Sequence, residues 1–267
     1  MKNIPLLIGG IIGDTIGSVY EFDKTLDYDF DMYRDEMQPT DDSIMTLAVA
    51  DWILSDPGQT NEVLIQKLKE WGHEFPWGGY GGMFCSWLFS RMTDPYNSFG
   101  NGSAMRCSAC GYACDNLEDT LELAKRSAAV THNHPEGIKG SQATAGAIFL
   151  ARNGKSKAEI MQWVEEKFEY DLDRTCAEIR PTYYFDETCQ RTVPEAIIAF
   201  LDSKDYEDAI RLSISLGGDA DTLACITGSI AAAFYREIPE ELVNFVLSRL
   251  PKQFQDTISE FDRKYNK

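Results

Sequence analysis

Two short stretches concentrate oxygen ligands where the pattern predicts helix starts: Thr40, Asp41 and Asp42 in "PTDDS", and Asp219, Asp221 and Thr222 in "GGDADT". An aspartate at a helix start commonly only caps exposed N–H groups, so neither stretch alone implies chemistry. If the two helix N-termini meet, however, four carboxylates converge. Like charges in a partly buried site push carboxylate pKa values up and destabilise the fold. Two divalent cations would balance four carboxylates. All the ligands are hard oxygens, so Mg²⁺ is the expected ion, with Mn²⁺ or Ca²⁺ as substitutes and Zn²⁺ disfavoured.

Competing constellations are weaker. Cys107, Cys110 and Cys114 in "CSACGYAC" fit no usual iron–sulfur run. At offsets of three and four they share one helical face, where cysteine packs as a small apolar residue. His132 and His134 alternate as ligands on an extended segment would, but with only three histidines in the chain a polar contact in a cleft is expected. No G-x-S-x-G or H-E-x-x-H motif supports a serine nucleophile or a zinc peptidase.

The elements that must position these groups are helical. In "TDDSIMTLAVADWIL", Ile44, Leu47, Ala48 and Trp52 recur three or four apart, and Val63, Leu64, Leu68 and Trp71 do so in "NEVLIQKLKEWG". Further helical patterns cover residues 118–129, 142–151, 157–168, 194–201, 206–215 and 239–250. "IRLSIS" is the one stretch with strand character. Gly9, Gly13 and Gly17 form a face without side chains on the first helix, which lets another helix approach closely. Asp14 and Glu21, seven apart, are expected on one face of that helix. Glycine-rich stretches at 74–84 and 93–103, and a third irregular region at 170–192, are candidate cleft walls.

At 267 residues the chain fits one domain, 1–267, with 43% hydrophobic and 25% charged residues. A net charge of −18 excludes broad binding to nucleic acid or anionic membranes. The start "MKNIPLLIGGIIGDTIGS" superficially resembles a secretory signal, but Asp14 and the lack of an Ala-x-Ala-like site weaken that view. Seven scattered cysteines look like reduced thiols, so a cytoplasmic location is expected; the oligomeric state is open, with a monomer slightly favoured.

In order and spacing, "GGIIGDTIGSVYEF", "TDDSIMTLAVADWIL", "SFGNGSAMR", "TH" at 131–132, "VPEAIIAFL" and "SLGGDADTLACITGSIAAAFY" resemble the ADP-ribosylglycohydrolases over nearly the whole chain. The resemblance implies an all-α, compact orthogonal helical bundle, which would make "IRLSIS" helical. It implies two Mg²⁺ held by Thr40, Asp41, Asp42, Asp219, Asp221 and Thr222. Phe99, Gly100, Asn101, Gly102, Ser103, Met105 and His132 become contacts to ADP-ribose, the loop N–H groups taking its phosphates with Arg106 nearby. Glu21 occupies the place of a mobile glutamate in some members, and it and a metal-bound aspartate, Asp42, become the acid–base pair. The implied reaction is hydrolysis of the glycosidic bond between ADP-ribose and an acceptor such as an arginine or serine side chain, through an oxocarbenium-like state. Two alternatives share the same residues: hydrolysis of an O-acyl, poly-ADP-ribose or nucleic-acid adduct, and a non-catalytic binding or structural relative.

Overall fold

A computed structural model describes residues 4–266, and Lys2 of the signal-like start lies outside them. The first half is built from α1 (Ile8–Gly17), α2 (Asp41–Ser55), α3 (Asn61–Glu74), α4 (Gly82–Leu88), α5 (Gly102–Met105), α6 (Ser108–Ala113) and α7 (Leu117–Ala129). The second half adds α8 (Pro135–Arg152), α9 (Lys157–Phe168), α10 (Cys176–Ile179), α11 (Cys189–Asp202), α12 (Tyr206–Ile214), α13 (Ala220–Tyr235), α14 (Glu240–Leu247) and α15 (Lys252–Tyr265). The expected all-α class holds: the only strand-like pairing among the described residues is an isolated bridge between Gly100 and Thr188. "IRLSIS" ends α12 as helix, because Ala209, Ile210 and Ile214 share its buried face.

The organising contact is α1 against α13. Every residue of α1 is buried, which suits a helix whose one charged residue is Asp14. Gly9 faces Gly228 and Ala232, Gly13 faces the backbone of Ala224, and Gly17 faces Asp221. The two helices therefore run antiparallel, and the end of α1 meets the start of α13. Tyr206 of α12 donates from its hydroxyl to the Gly9 carbonyl at 2.6 Å, which pins the far end of the pair.

Several boundaries differ from those expected. Glu21 is not on the first helix: α1 ends at Gly17, the Tyr20 N–H closes a turn onto the Gly17 carbonyl, and Glu21 sits in the bend beyond. The irregular region 170–192 contains α10, set by a capping box between Thr175 and Glu178, and the first turn of α11, which starts five residues before Pro194. α15 was not expected, although Phe254, Ile258 and Phe261 supply its buried stripe. Cys107 and Cys110 are buried as expected, whereas Cys114 is half-buried at the end of α6. No helix among the described residues is long and apolar enough to cross a membrane.

The α1–α13 contact makes a sharp prediction. A methyl group on Gly13 would overlap the Ala224 backbone, which has no flexible side chain to yield. Gly13→Ala should therefore cost ~1–3 kcal/mol in denaturant unfolding. Gly82→Ala, where a Cβ meets nothing within 4 Å, should stay within ~0.5 kcal/mol of wild type. Equal stabilities would contradict the close approach.

Candidate active site

Because α1 and α13 are antiparallel, Asp14 near the end of one reaches the beginning of the other, and the chain brings α2 in as the third member. Asp14 is fully buried and accepts from four donors of the α2 N-terminus. Its Oδ2 takes the Thr40 N–H at 2.9 Å, the Ser43 N–H at 3.0 Å and the Ser43 hydroxyl, while Oδ1 takes the Thr40 hydroxyl at 2.5 Å. A residue of α1 thus does for α2 what an N-cap side chain ordinarily does from within. The Asp41 N–H donates in turn to the Gly78 carbonyl of the glycine-rich 74–84 stretch, at 2.7 Å.

The two acidic starts do meet. The Thr222 hydroxyl of α13 donates to Asp42 Oδ2 of α2 at 3.2 Å, and the Thr40 hydroxyl lies 3.5 Å from Asp221 Oδ2. Each cluster contributes a threonine to the other cluster's carboxylate. Asp219 is held by Asn101, whose Nδ2 donates to Asp219 Oδ2 at 2.6 Å and to Thr192 Oγ1 at 3.1 Å. Oxygens of Asp14, Asp42 and Asp221 lie within 4.8 Å of one another, as do those of Glu21, Asp219 and Asp221. Tyr183 packs against Gly218 and Leu26 against Gly217, whose φ of +74° lets the turn into Asp219 form.

The cluster forms one end of a cleft of about 650 Å³, a size suited to a nucleotide-like ligand. Phe99, Gly100, Asn101, Gly102, Met105 and His132 line it, together with Glu21, Asp41, Asp42, Asp219, Asp221 and Thr222. Two of the sequence-derived candidates do not line it. The Ser103 side chain is buried and donates to the Gly137 carbonyl at 2.7 Å, and the Thr40 hydroxyl faces Asp14. The Gly100 and Asn101 N–H groups are already bonded, to Ser98 Oγ and the Glu187 carbonyl. His134 caps α8, its Nδ1 accepting the Glu136 N–H at 3.1 Å.

With this geometry in view, comparison with known proteins decides the family. The sequence model for ADP-ribosylglycohydrolase matches residues 4–264. The chain belongs to the ADP-ribosylglycohydrolase family. It is 25% identical to ADP-ribosylhydrolase ARH3 of Bos taurus over 88% of this chain and 85% of that one. It is 26% identical to ADP-ribosylarginine hydrolase Tri1 of Pseudomonas putida (strain GB-1) over 86% of this chain and 69% of that one. A solved ADP-ribosylglycohydrolase-related protein complex superposes with a TM-score of 0.76 at 22% identity, covering 97% and 96% of the two chains, and so shares the fold.

In this family member one site residue, Asp14, was not anticipated as part of the acidic cluster, and one expected wall, 170–192, had no single residue picked out. Asp14 was visible only as a face-mate of Glu21, because the donors it holds lie 26 and 29 residues away. Phe185, Asp186, Glu187 and Thr188 form part of the cleft wall from within the irregular 170–192 region. The Asn101 and Cys189 N–H groups, bonded to the Glu187 and Phe99 carbonyls, stitch that wall to the "GNG" loop.

Six acids in one place carry an electrostatic cost. Burial, then the charge of Asp221, raises Asp41 and Asp42 well above the usual carboxylate range, and burial, then Asp219, does the same to Asp221. Burial raises Asp14 despite its four donors. Burial also carries Asp219 to about 7 and, together with Asp221, Glu21 to about 8. Among the described residues no lysine or arginine lies within ion-pair distance of any of the six.

These shifts fix a pH dependence. The unfolded chain releases carboxylate protons near pH 4, whereas the folded chain holds that of Asp219 to about 7 and that of Glu21 to about 8, with the other four acids raised as well. Between those limits the folded state binds more protons, so stability falls as pH rises. In chelator, Tm should drop from pH 5 to pH 8, and Asp42→Asn should flatten that drop. A Tm rising over this interval would contradict the electrostatic description.

Proposed function

We propose that the chain is a Mg²⁺-dependent hydrolase of the glycosidic bond between ADP-ribose and an acceptor, with an arginine or serine side chain of a modified protein as the acceptor. The observation that carries this is the convergence of buried acids from α1, α2 and α13 at one end of the cleft, without a basic partner. The donor set fits two hard divalent ions. Asp42 Oδ1 is buried and has no hydrogen-bond partner, which is costly for a carboxylate oxygen unless a cation meets it. Thr40, Asp41, Asp42, Asp219, Asp221 and Thr222 would hold the ions, with Asp14 fixing the α2 side of the set. Bound there, the ions would supply Lewis-acid polarisation and lower the pKa of water.

The remaining work falls to the chain's own groups. Phe99, Gly100, Asn101, Gly102, Met105 and His132 form the wall against which ADP-ribose would lie, with Ser103 supporting the loop from behind. Half-buried Glu21 stands at the boundary between the acidic end and solvent. Burial, the first cause of its raised pKa, favours its protonated form, which suits it to give a proton to the departing acceptor atom. Asp42, the carboxylate at the α2 start beside Thr222, would be the partner acid for the proton of the attacking water. The names of the relatives, ADP-ribosylhydrolase and ADP-ribosylarginine hydrolase, support an ADP-ribose linkage as the bond cleaved.

The test offers arginine-linked, serine-linked, O-acyl-linked and poly-ADP-ribose side by side with Mg²⁺ and measures free ADP-ribose. Release from at least one is expected, abolished by chelator, restored by Mg²⁺ and lost in Asp42→Asn. Glu21→Gln should lower kcat by ~10²–10⁴-fold with KM little changed. ADP-ribose binding without cleavage of any substrate would identify a binding protein instead.

A further inference from the structure

Asp219 stands at the N-terminus of α13, yet its side chain makes no capping bond to that helix. Asn101 of the cleft wall holds its carboxylate at 2.6 Å, so the placing of its backbone falls to the link from α12. That link, Ser215 to Gly218, is buried and ends in two glycines, the first at a φ of +74°. A backbone with so little side chain of its own takes its position from what packs on it.

The single turn α10 and the residues after it supply that packing. Arg180 lays its guanidinium on Ser215: Nε donates to the Ser215 carbonyl and Nη2 to the Ser215 hydroxyl, each at 2.9 Å. Ser215 is the C-cap of α12, so the cation also meets the negative end of that helix dipole. Tyr183 is buried, and its N–H is bonded to the Ile179 carbonyl at 3.0 Å. Its ring lies on Gly218, where a Cβ would come within 2.2 Å of a ring carbon. Its hydroxyl donates to the Arg191 carbonyl at 2.8 Å. That bond closes the base of the loop 184–190, whose residues Phe185, Asp186, Glu187 and Thr188 line the cleft.

α10 is itself anchored to α11, away from the cleft. The Cys176 N–H donates to Asp202 Oδ2 at 2.7 Å, and Arg174 Nη1 meets the buried Glu195 at 3.0 Å. Neither Arg180 nor Tyr183 lines the cleft. We infer that both are positioning residues that brace the cleft from behind: Arg180 and the Tyr183 ring set the backbone of Asp219 for a divalent cation, and the Tyr183 hydroxyl sets the 185–188 wall for ADP-ribose. The identity of cation and ligand rests on the function proposed above. The two duties of Tyr183 are separable, because Tyr183→Phe keeps the ring on Gly218 and removes only the bond to Arg191.

The experiment titrates MgCl₂ and, separately, ADP-ribose into the chelator-treated full chain by calorimetry, with Tm measured for every variant. Arg180→Gln should lower Mg²⁺ affinity ~10-fold, the low end for a residue that supports a metal ligand from behind, and leave the ADP-ribose Kd little changed. Arg180→Lys keeps the charge but loses the two-point fork, so it should show the same loss, and it carries the test if the glutamine variant does not fold. Tyr183→Phe should do the reverse, raising the ADP-ribose Kd ~5-fold for one lost hydrogen bond while Mg²⁺ affinity stays as in wild type. A general loss of stability cannot produce opposite selectivities in two neighbouring residues. Unchanged Mg²⁺ affinity in the folded Arg180 variants, unchanged ADP-ribose affinity in Tyr183→Phe, or equal weakening of both ligands by each variant would overturn the brace. A wild type that binds no Mg²⁺, or no ADP-ribose, would overturn the function proposed above and with it the matching half of this inference.

Discussion

Everything at the acidic end of the cleft depends on two helices touching backbone to backbone. Gly9, Gly13 and Gly17 remove the side chains that would hold α1 about 8–10 Å from α13 in an ordinary crossing. Gly228 and Ala224 do the same from the other side. Three helical glycines forfeit ~1 kcal/mol each in propensity relative to alanine. That loss is offset only by burial of the whole of α1. The antiparallel contact places Asp14 beside Asp221, and Asp14 then fixes α2 through Thr40 and Ser43. The site is therefore built by backbone proximity first and by side-chain bonds second.

The polar groups divide into those that hold the carboxylates and those that are held. Asp14, Asn101, Thr40 and Thr222 spend their hydrogen bonds on the acidic cluster, so its geometry does not need a ligand to form. Asp42 Oδ1 keeps no partner, and every acid of the cluster is pushed upward in pKa. Convergence of buried acids is electrostatically costly, and the proposed cations would offset that cost. At the other end of the cleft, buried Arg106 is part of the wall, its Nη2 donates to the Ser127 carbonyl and Thr131 Oγ1, and the Thr131 hydroxyl lies 2.7 Å from His132 Nδ1.

Much of this was legible in the sequence, for identifiable reasons. The paired "TDDS" and "GGDADT" clusters were visible as ligand types, and the glycine spacing marked a helix face meant for close contact. Amphipathic helices such as α7 and α9 began and ended near their sequence signals because Asn116 and Ser156 cap them locally. What was hidden was tertiary. Periodicity carries a helix onward until something stops it, so Glu21 was placed on a face that ends at Gly17. Asp14 carried no local motif, since the donors it satisfies belong to another helix. The Thr175-to-Glu178 capping box was present in the sequence, but α10 is a single turn without a hydrophobic repeat to announce it. Ser103 matched a ligand-binding loop by position, yet its side chain turns inward to a bond that only the folded chain supplies, whereas Arg106 is bonded to Ser127 and Thr131 and still lines the cleft.

The most direct test is calorimetric titration of Mg²⁺ into the chelator-treated protein at pH 7.5, compared with Asp14→Asn and Gly13→Ala. Saturable binding of two ions by wild type is expected. Both variants should weaken it although neither removes one of the six proposed ligands, because one unfastens α2 and the other separates α1 from α13. No Mg²⁺ binding by wild type, or unchanged binding in both variants, would contradict an account in which helix packing assembles the acidic site.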